Sequence, residues 1–210
     1  MTVIESLQKR YSCKKFDPTK KLSEEKVEIL KKAFCLTATS FGLQPIKLIV
    51  INNKKLQEKF VEASYFQRQV ADASHLLIIC IEKDTTAEDI NAYFDLEKSV
   101  RGIGEDVVCK FIKQLVEMYS KMTIEEKNAS AIYQCYIALG NLLTVCAVEE
   151  IDACPMEGFV PSKIDALLEL NEMNLRSVLM LPVGYGAEDD VMKSLKKVRK
   201  PMNQSIIEIS

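Results

Sequence analysis

The sequence predicts a single α/β or α+β domain built around a mixed central sheet. Three short apolar runs, at residues 48–51, 76–81 and 177–181, have the length and composition of buried strands. Segments with a helical spacing of apolar residues lie before the first run and between the second and the third. No repeat or low-complexity linker divides the 210 residues, 48% of which are hydrophobic, so the chain can form one core.

Two helices are predicted ahead of the first strand. Residues 2–5 have the Thr-x-x-Glu form of a capping box, and the helix that follows delivers Arg10 and Ser12 at its C-terminal end. Ser23 caps the second helix, which ends near Leu36. A polar loop then leads into the first strand.

The second half of the chain contains an amphipathic segment at 106–118 and a segment at 129–148 that is apolar on nearly every side. The latter is long enough to cross a membrane, but polar residues interrupt it, and a core or subunit-interface helix has the same pattern. We therefore expect no membrane span. Ser162 is predicted to cap another helix. Residues 205–209 have a strand pattern, and we expect this strand to pair with an edge strand of another subunit.

Charge and cysteine content exclude several classes of function. The 28 Lys and Arg residues balance 30 Asp and Glu residues, so no broad basic surface is available for nucleic acid or an anionic membrane. Seven cysteines form no Cys-x-x-Cys pair, and we interpret them as reduced thiols of a cytoplasmic protein without a signal peptide. The single histidine, His75, supports neither a two-histidine metal site nor a Ser/His/Asp triad, so we expect no metal.

Two short basic clusters lie at opposite ends of the chain, at residues 10–14 and 196–200. Together they offer guanidinium, hydroxyl and ammonium groups, the mixture of donors that binds a phosphate monoester. Solvated surface faces have the same composition, so the clusters alone do not establish a site. Residues 153–159 add a third motif, in which a proline and a glycine flank residues whose backbone amides can face a ligand. We predict one phosphate site assembled from both termini.

Five motifs follow one another along the chain: Lys9-Arg10-Tyr11-Ser12-Cys13-Lys14-Lys15-Phe16, Asp72-Ala73-Ser74-His75, Ala153-Cys154-Pro155-Met156-Glu157-Gly158-Phe159, Pro182-Val183-Gly184 and Lys197-Val198-Arg199-Lys200-Pro201. In this order they resemble the FMN-dependent nitroreductase family, and most closely its oxygen-insensitive NAD(P)H nitroreductases and their dihydropteridine reductase relatives. The resemblance implies an α+β fold with a mixed, mainly antiparallel sheet flanked by helices. It also implies an intertwined homodimer with FMN at the interface, in which residues 1–210 form one domain and about 190–210 extend onto the partner.

The resemblance further implies which residues bind FMN. Lys14 matches a lysine at the N1 and O2 edge of the flavin ring, where negative charge accumulates on reduction and a cation raises the two-electron potential. The Glu157 amide is expected to donate to the ring beside N5 and O4. Phe41 is expected near the substrate face. The expected cofactor-binding residues are Arg10, Tyr11, Ser12, Lys14, Gln69, Pro155, Met156, Glu157, Gly158, Lys197 and Arg199.

The chain departs from the family pattern at positions that bear on the flavin and on the substrate. Phe66 and Gln69 stand where family members often carry an asparagine and a lysine. Gln69 can hydrogen-bond the pyrimidine edge but brings no charge. If Lys14 is then the only cation at that edge, the reduced flavin is less stabilised, by about 1–3 kcal/mol. Ala38 and Ile46 replace a usual proline and aromatic residue, and they leave the substrate preference open.

By resemblance, the expected function is a ping-pong oxidoreductase. NADH or NADPH reduces the flavin at N5 and departs, and a flat electrophile such as a nitroaromatic, a quinone or a pteridine takes its place. The cofactor carries the chemistry, so no protein residue is assigned as a catalytic acid or base. Alternatives are a dihydropteridine or enone reductase on the same scaffold, or a flavin-storage or sensing protein without efficient turnover. A cysteine-based reductase using Cys13 or Cys154 is disfavoured because neither has a partner cysteine.

Overall fold

The computed structural model describes residues 1–209, and the side chains of all of these except residues 105–108. Its central strands are β1 (Ile46–Ile51), β2 (His75–Glu82), β3 (Asp152–Ala153) and β4 (Leu175–Gly184). They pair antiparallel in the order β1-β2-β4-β3, which makes the fold α+β. The three predicted strands are confirmed. Among the described residues, parallel pairing is limited to an isolated bridge between Ser12 and Ala153. The periodicity of apolar residues does not indicate whether two strands pair parallel or antiparallel.

Helices flank this sheet along the whole chain. Two short 3-10 helices, Ser40–Gly42 and Val191–Ser194, complete the regular elements of the described residues. The α-helices are α1 (Val3–Lys9), α2 (Glu24–Cys35), α3 (Lys54–Ala63), α4 (Gln69–Asp72), α5 (Ala87–Arg101), α6 (Glu105–Lys121), α7 (Ile124–Val148), α8 (Pro161–Leu167) and α9 (Met202–Ser205).

Side-chain caps begin the first two helices where the sequence predicts them. The Glu5 N–H donates to Thr2 Oγ1 over 3.3 Å, and the Thr2 N–H donates to Glu5 Oε2 over 2.7 Å, so the capping box forms. Ser23 caps α2, which ends within one residue of the predicted position. The predicted cap at Ser162 is wrong. Helix α8 begins at Pro161, whose preset φ and missing N–H suit the first helical position without a side-chain cap.

Strand β2 forms the centre of the core because both of its faces are covered. Residues 76–81 are each at most 1% exposed. Phe60 belongs to the cluster on one face of the sheet, and Leu142 of α7 belongs to the cluster on the other. On the far side of α7, Tyr133 and Ile137 are 67% and 50% exposed. Among the described residues, α7 alone is long and apolar enough to cross a membrane, a test that core helices also pass.

Helices α5 and α6 form a hairpin with a small core of its own, made by Ile90, Phe94, Leu115 and Tyr119. The 3-10 turn Ser40–Gly42 packs against this hairpin. A Cβ at Gly42, where φ is +73°, would lie 2.0 Å from the Tyr93 hydroxyl oxygen of α5, so only glycine fits there.

The C-terminal segment differs from its prediction. Ser205 ends α9, and residues 206–209 form no strand. Within the subunit the predicted strand over 205–209 does not form, and its pairing with an edge strand of another subunit stays a prediction. Ile207 and Ile209 are 89% and 95% exposed, so the apolar surface of this segment stays uncovered.

Candidate functional site

The two ends of the chain meet beside the end of α1. The Lys197 ammonium donates to the backbone carbonyl oxygen of Arg10. Burial, and then the neighbouring Arg199, lower the pKa of the Arg10 guanidinium. Burial, and then Arg10 and Arg199, likewise lower the pKa of Lys197. The structure thus brings the two basic clusters together, although Arg10 and Lys197 are 187 residues apart in the sequence.

No carboxylate within the described part of the chain forms an ion pair with Arg10, Lys197 or Arg199. Only burial and other cations shift the pKa values of Arg10 and Lys197, and no carboxylate acts on them. The Nη1 atom of Arg10 is buried and has no hydrogen-bond partner there. A buried donor without an acceptor costs about 1–3 kcal/mol, and an oxyanion would remove that cost. The residues present therefore fit the phosphate group of FMN.

Residues 11–13 connect the basic site to the motif at 153–159. Ser12 forms the parallel bridge with Ala153, and the Cys13 N–H donates to the Ala153 carbonyl oxygen over 3.1 Å. The backbone of the first motif is therefore held directly against the third.

Tyr11 places a second buried polar atom at this site. Its hydroxyl oxygen is buried, and its polar neighbour is the Cys13 thiol. Burial, and then Asp152, raise the pKa of Tyr11, so the hydroxyl stays protonated. A Cβ at Gly186 would lie 2.3 Å from this oxygen, so the close approach of Tyr11 requires glycine at position 186.

Asp190 anchors the segment that carries Lys14. Its Oδ2 accepts the Lys14 N–H over 2.8 Å and the Lys15 N–H over 3.1 Å, and its Oδ1 accepts the Met192 N–H over 3.0 Å. Burial alone would raise the pKa of Asp190, but the three amide donors outweigh it and hold the pKa below its ordinary value. Sequence reasoning missed this residue, although its place ahead of a short helix is a capping signal.

The Lys14 side chain points toward the third motif. Its ammonium lies 3.5 Å from the Cys154 sulfur, next to Pro155, which begins the predicted ring-binding loop. A cation is thus present beside that loop, as the resemblance implies for the N1 and O2 edge of the ring.

Within the loop, Met156 and Glu157 have different tasks. Met156 is 4% exposed, and its N–H and carbonyl pair with Met180 over 2.8 and 3.0 Å, so its amide is already used. The Glu157 N–H has no acceptor in the described part of the chain, which leaves it available to a ligand. The Glu157 carboxylate accepts a hydrogen bond from the Tyr136 hydroxyl over 2.8 Å. Tyr136, which orients Glu157, was missed because it lies on another element.

Gln69 reaches the loop through a residue that sequence reasoning did not select. Its Nε2 donates to Gln67 Oε1 over 3.4 Å, and Gln67 Nε2 donates to the Gly158 carbonyl oxygen over 2.9 Å. Gln69 is only 7% exposed. The two glutamines therefore form a relay that holds the loop at Gly158, and no residue pattern in the sequence signals such a pairing.

Phe41 and Phe66 both stand in strained, exposed positions. Phe41 has a φ of +55°, and its ring centroid lies 6.1 Å from that of Phe111 on α6. The structure therefore places Phe41 against the α5–α6 hairpin, on an element separate from those that carry residues 10–14 and 155–158. Phe66 has a φ of +59° and is 75% exposed, immediately before Gln67.

Cys13 and Cys154 are free thiols, and both are fully buried. Burial raises the pKa of Cys13 to about 12, which leaves almost no thiolate at neutral pH. His75 begins β2, and its ring nitrogen Nδ1 lies 3.0 Å from Ser74 Oγ. No group of three or more His, Cys, Asp or Glu residues with a metal-binding arrangement occurs among the residues that the structure describes.

Sequence comparison agrees with this arrangement. The Nitroreductase family profile matches residues 7–185. A Staphylococcus epidermidis protein, SERP2086, with the provisional name NAD(P)H nitroreductase, is 31% identical over 198 residues, covering 90% of this chain and 89% of the relative. An oxygen-insensitive NAD(P)H nitroreductase of Salmonella typhimurium is 25% identical over 223 residues, and the match covers 100% of both chains.

Solved structures show the same fold. A nitroreductase-like protein from Streptococcus mutans superposes with a TM-score of 0.86 at 21% identity, over 99% of this chain and 98% of that one. A provisional nitroreductase from Exiguobacterium sibiricum, solved in complex with FMN, gives 0.82 at 19% identity over 100% and 98%. The enone reductase CLA-ER gives 0.79 at 19% identity over 99% and 98%. By its sequence and its fold, the chain belongs to the nitroreductase family.

Proposed function

We propose that the protein is an FMN-dependent oxidoreductase that transfers reducing equivalents from NADH or NADPH to a small, flat electrophile. Nitroaromatics and quinones are the proposed acceptors. The observation that carries this proposal is the group of uncompensated cations, Arg10, Lys197 and Arg199, that both ends of the chain bring to one place. Membership of the nitroreductase family supplies the identity of the phosphate compound that would occupy it.

Each part of the site then has a task in holding the cofactor. Arg10, Lys197 and Arg199 bind the phosphate, and Ser12 donates to it or to a neighbouring ribityl oxygen. Tyr11 adds a protonated hydroxyl at the same end of the site. The half-buried guanidinium of Arg10 suits this task because it stays charged and donates in a fixed fork.

At the other end of the site, Lys14 and the loop of residues 155–158 orient the ring. The Glu157 N–H has no acceptor among the described residues and can donate at the N5 and O4 edge. The Lys14 ammonium stabilises the negative charge that develops when the ring is reduced. Bound FMN supplies the centre that accepts and donates hydride.

The reaction requires no protein group to move a proton in this proposal. His75 is bonded to Ser74 at the start of β2, and Cys13 is held as a thiol by burial. The protein instead excludes water and orders the donor and acceptor in turn on one face of the ring, which is a ping-pong cycle. Phe41, exposed beside Phe111, is the proposed contact for the acceptor.

A homodimer is the proposed assembly, with residues 1–210 as one domain and about 190–210 extending onto the partner subunit. Two observations support it. Tyr133 and Ile137 expose apolar surface on the outer side of α7, and Ile207 and Ile209 expose it at the C-terminus. Strand β1 lies at an edge of the sheet, so its outer backbone groups are free to pair with an added strand. We propose a cytoplasmic location, and small molecules as the remaining partners.

A second candidate is an enone or dihydropteridine reductase on the same scaffold. The observation in its favour is Gln69, which is uncharged and bonded to Gln67, where family members often place a cation. With less positive charge at the site, the reduced flavin ring is less stabilised. Such a site suits an acceptor that does not require a strongly stabilised reduced flavin. The superposition with CLA-ER supplies the fold precedent for an enone acceptor. The weaker alternative, flavin storage without turnover, rests on the same residue.

The test is an absorbance spectrum of the purified protein before and after anaerobic addition of NADH and then NADPH. A yellow protein that bleaches supports the oxidoreductase and identifies the donor. A yellow protein that stays oxidised supports storage or sensing, and a colourless one that FMN cannot reconstitute contradicts the proposed function. Addition of a quinone, a nitroaromatic, an enone or a dihydropteridine to the bleached protein then identifies the class of acceptor by the return of colour.

A further inference from the structure

A cavity of about 490 Å³ lies between α1, the C-terminal end of α7 and the segment that carries Lys193. Two of its lining side chains contain a buried polar atom with no hydrogen-bond partner in the described part of the chain: Ser6 Oγ and Arg10 Nη1. Ser6 is only 2% exposed. Folded proteins rarely leave a buried polar group unbonded, and two such groups in one cavity indicate a ligand that bonds both of them.

Among the described residues, neither acid that lines the cavity is hydrogen-bonded to the Ser6 hydroxyl or to Arg10 Nη1. Both acids are already engaged, because Glu150 pairs with Lys9 over 2.9 Å and Asp152 Oδ2 accepts the Gly186 N–H over 2.7 Å. The Lys193 ammonium has no acceptor among the described residues. A guanidinium, an ammonium and two hydroxyl groups around one space match an oxyanion.

The placement of Ser6 follows from the helix. Ser6 and Arg10 are four residues apart at the end of α1, so their side chains lie on the same face and line one wall of the cavity. Tyr11, the residue after Arg10, also lines the cavity. Its hydroxyl can approach position 186 closely because glycine has no side chain there. Three of the donors therefore come from one short stretch of chain, and Lys193 comes from a distant one.

We propose that Ser6, Tyr11 and Lys193 join Arg10 in binding a phosphate monoester in this cavity. Ser6 and Lys193 are binding residues beyond those that the two basic motifs predict. The inference rests on the proposed function, which supplies two phosphate monoesters: the 5′-phosphate of FMN and the 2′-phosphate of NADPH. Both present the same dianionic oxygens to the same donors.

The test compares Ser6→Ala with Ser194→Ala, a nearby exposed serine whose hydroxyl donates to the Val191 carbonyl oxygen and lies outside this cavity. Titrations of the apoproteins with FMN and with riboflavin, which lacks the phosphate, are followed by flavin fluorescence. We expect Ser6→Ala to weaken FMN binding about tenfold and to leave riboflavin binding unchanged. Lys193→Gln should weaken FMN binding about threefold, whereas Lys59→Gln, which removes an exposed charge on α3, should not.

The second arm distinguishes the source of the phosphate. If FMN binding is unchanged in Ser6→Ala but the KM for NADPH rises while that for NADH does not, the cavity holds the 2′-phosphate and the proposal stands. If riboflavin and NADH are affected as much as their phosphorylated counterparts, or if no ligand is affected, Ser6 has no role in phosphate binding and the proposal is overturned.

Inorganic phosphate, titrated calorimetrically into the apoprotein, separates this inference from the proposed function. Weaker phosphate binding in Ser6→Ala than in wild type supports the cavity even if neither nicotinamide reduces the flavin. Equal binding, or none to the wild type, overturns it even if the enzyme turns over. Thermal unfolding of the apoprotein provides the structural control. Removal of an unbonded hydroxyl should leave the melting temperature unchanged or raise it, and a fall would contradict the proposal.

Discussion

At the phosphate end of the site, Ser6 and Arg10 each have a buried polar atom without a hydrogen-bond partner in the described part of the chain. At the ring end, the side chains of Gln67, Gln69 and Glu157 are already paired within the chain, and the Glu157 N–H is left for a ligand. Arg10 and Lys197 repel each other, and burial lowers the pKa of both. Gln67 bonds the Gly158 carbonyl, and Asp190 accepts the Lys14 N–H. The protein has therefore organised the ring end by itself and has left the phosphate end to be completed by a ligand.

The difference between the two ends affects the stability of the apoprotein and the cost of ligand binding. Bringing cations together without a counter-charge destabilises the apoprotein, and a bound dianion reverses that effect. At the ring end, by contrast, binding requires little rearrangement, which reduces the ordering cost that a ligand must overcome. Phosphate-end variants should accordingly change affinity without loss of stability, and ring-end variants should change stability or loop order first.

The largest effect is expected for Arg10→Ala at the phosphate end. Loss of the guanidinium should weaken FMN binding about a hundredfold, because it removes charge-assisted hydrogen bonds to a dianion. Riboflavin binding should not change, and the melting temperature of the apoprotein should stay the same or rise as the repulsion with Arg199 disappears. Fluorescence titration and thermal unfolding measure these quantities. Arg101→Ala, which removes a surface arginine of α5 that pairs with Glu97, is the matched control. Unchanged FMN affinity in both Arg10→Ala and Arg199→Ala would contradict the two-ended phosphate site.

The next effect concerns Asp190, which supports the ring end. Asp190→Asn should lower the free energy of unfolding by about 1–3 kcal/mol at neutral pH, because a charged acceptor for three amide groups becomes neutral. The folded pKa of Asp190 is lowered, so its stabilisation is present above the unfolded pKa of about 3.9 and is lost as the pH falls through the folded value. The difference between wild type and variant should therefore shrink in acid.

Denaturant unfolding at a series of pH values measures this difference, and Asp189→Asn is the matched control. Asp189 is an exposed neighbour that pairs with Lys15 at the surface. If the two variants lose equal stability at neutral pH, the amide-binding role of Asp190 is refuted.

A smaller effect is expected for Gln67→Leu, which breaks the relay to Gly158. FMN and riboflavin should both bind about fivefold more weakly, because the lost hydrogen bond orders the loop and not the phosphate. Amide hydrogen exchange at residues 157–159 of the apoprotein should become faster. Arg68→Gln, between the two relay glutamines, is the control. A selective loss of FMN affinity, with riboflavin unaffected, would place Gln67 at the phosphate end and remove the contrast between the two ends.

No effect is expected from the thiols that adjoin both ends. A Cys13→Ser, Cys154→Ser double variant should oxidise the nicotinamide donor at a rate within about twofold of wild type, because burial holds Cys13 as an inert thiol. Stopped-flow reduction of the bound flavin measures this rate directly. Loss of reduction with the fold intact would revive a cysteine-based mechanism.

The predicted and observed secondary structure show which elements can be predicted from local sequence patterns. The strand runs at 48–51, 76–81 and 177–181 lie inside β1, β2 and β4, and the capping box at residues 2–5 begins α1. Such elements can be predicted from neighbouring residues alone. A strand needs apolar, β-branched residues, and a helix cap needs a polar side chain three residues before the backbone N–H that it bonds. The predicted cap at Ser162 was wrong where two local signals competed, and Pro161 prevailed because its φ is preset.

The candidate site shows where local pattern ends. Arg10, Lys14 and Glu157 were selected from motifs in the sequence. The structure places these motifs next to each other, because the backbone of residues 12–13 pairs with Ala153. Asp190 and Gln67 were not selected, because their partners lie 176 and 91 residues away along the chain. Nothing in a single sequence marks an aspartate or a glutamine as the partner of a particular distant amide or carbonyl.

The sequence by itself determined the α+β elements, the positions of the basic clusters and the family resemblance, since these depend on residue type and spacing. Only the tertiary structure decided that the two clusters meet without a paired carboxylate in the described chain, that Ser6 Oγ lies unbonded in a cavity that Arg10 also lines, and that Gln69 hydrogen-bonds Gln67. The reason is physical. Burial and hydrogen-bond satisfaction are properties of a residue's surroundings in three dimensions, and those surroundings come from segments that folding alone brings together.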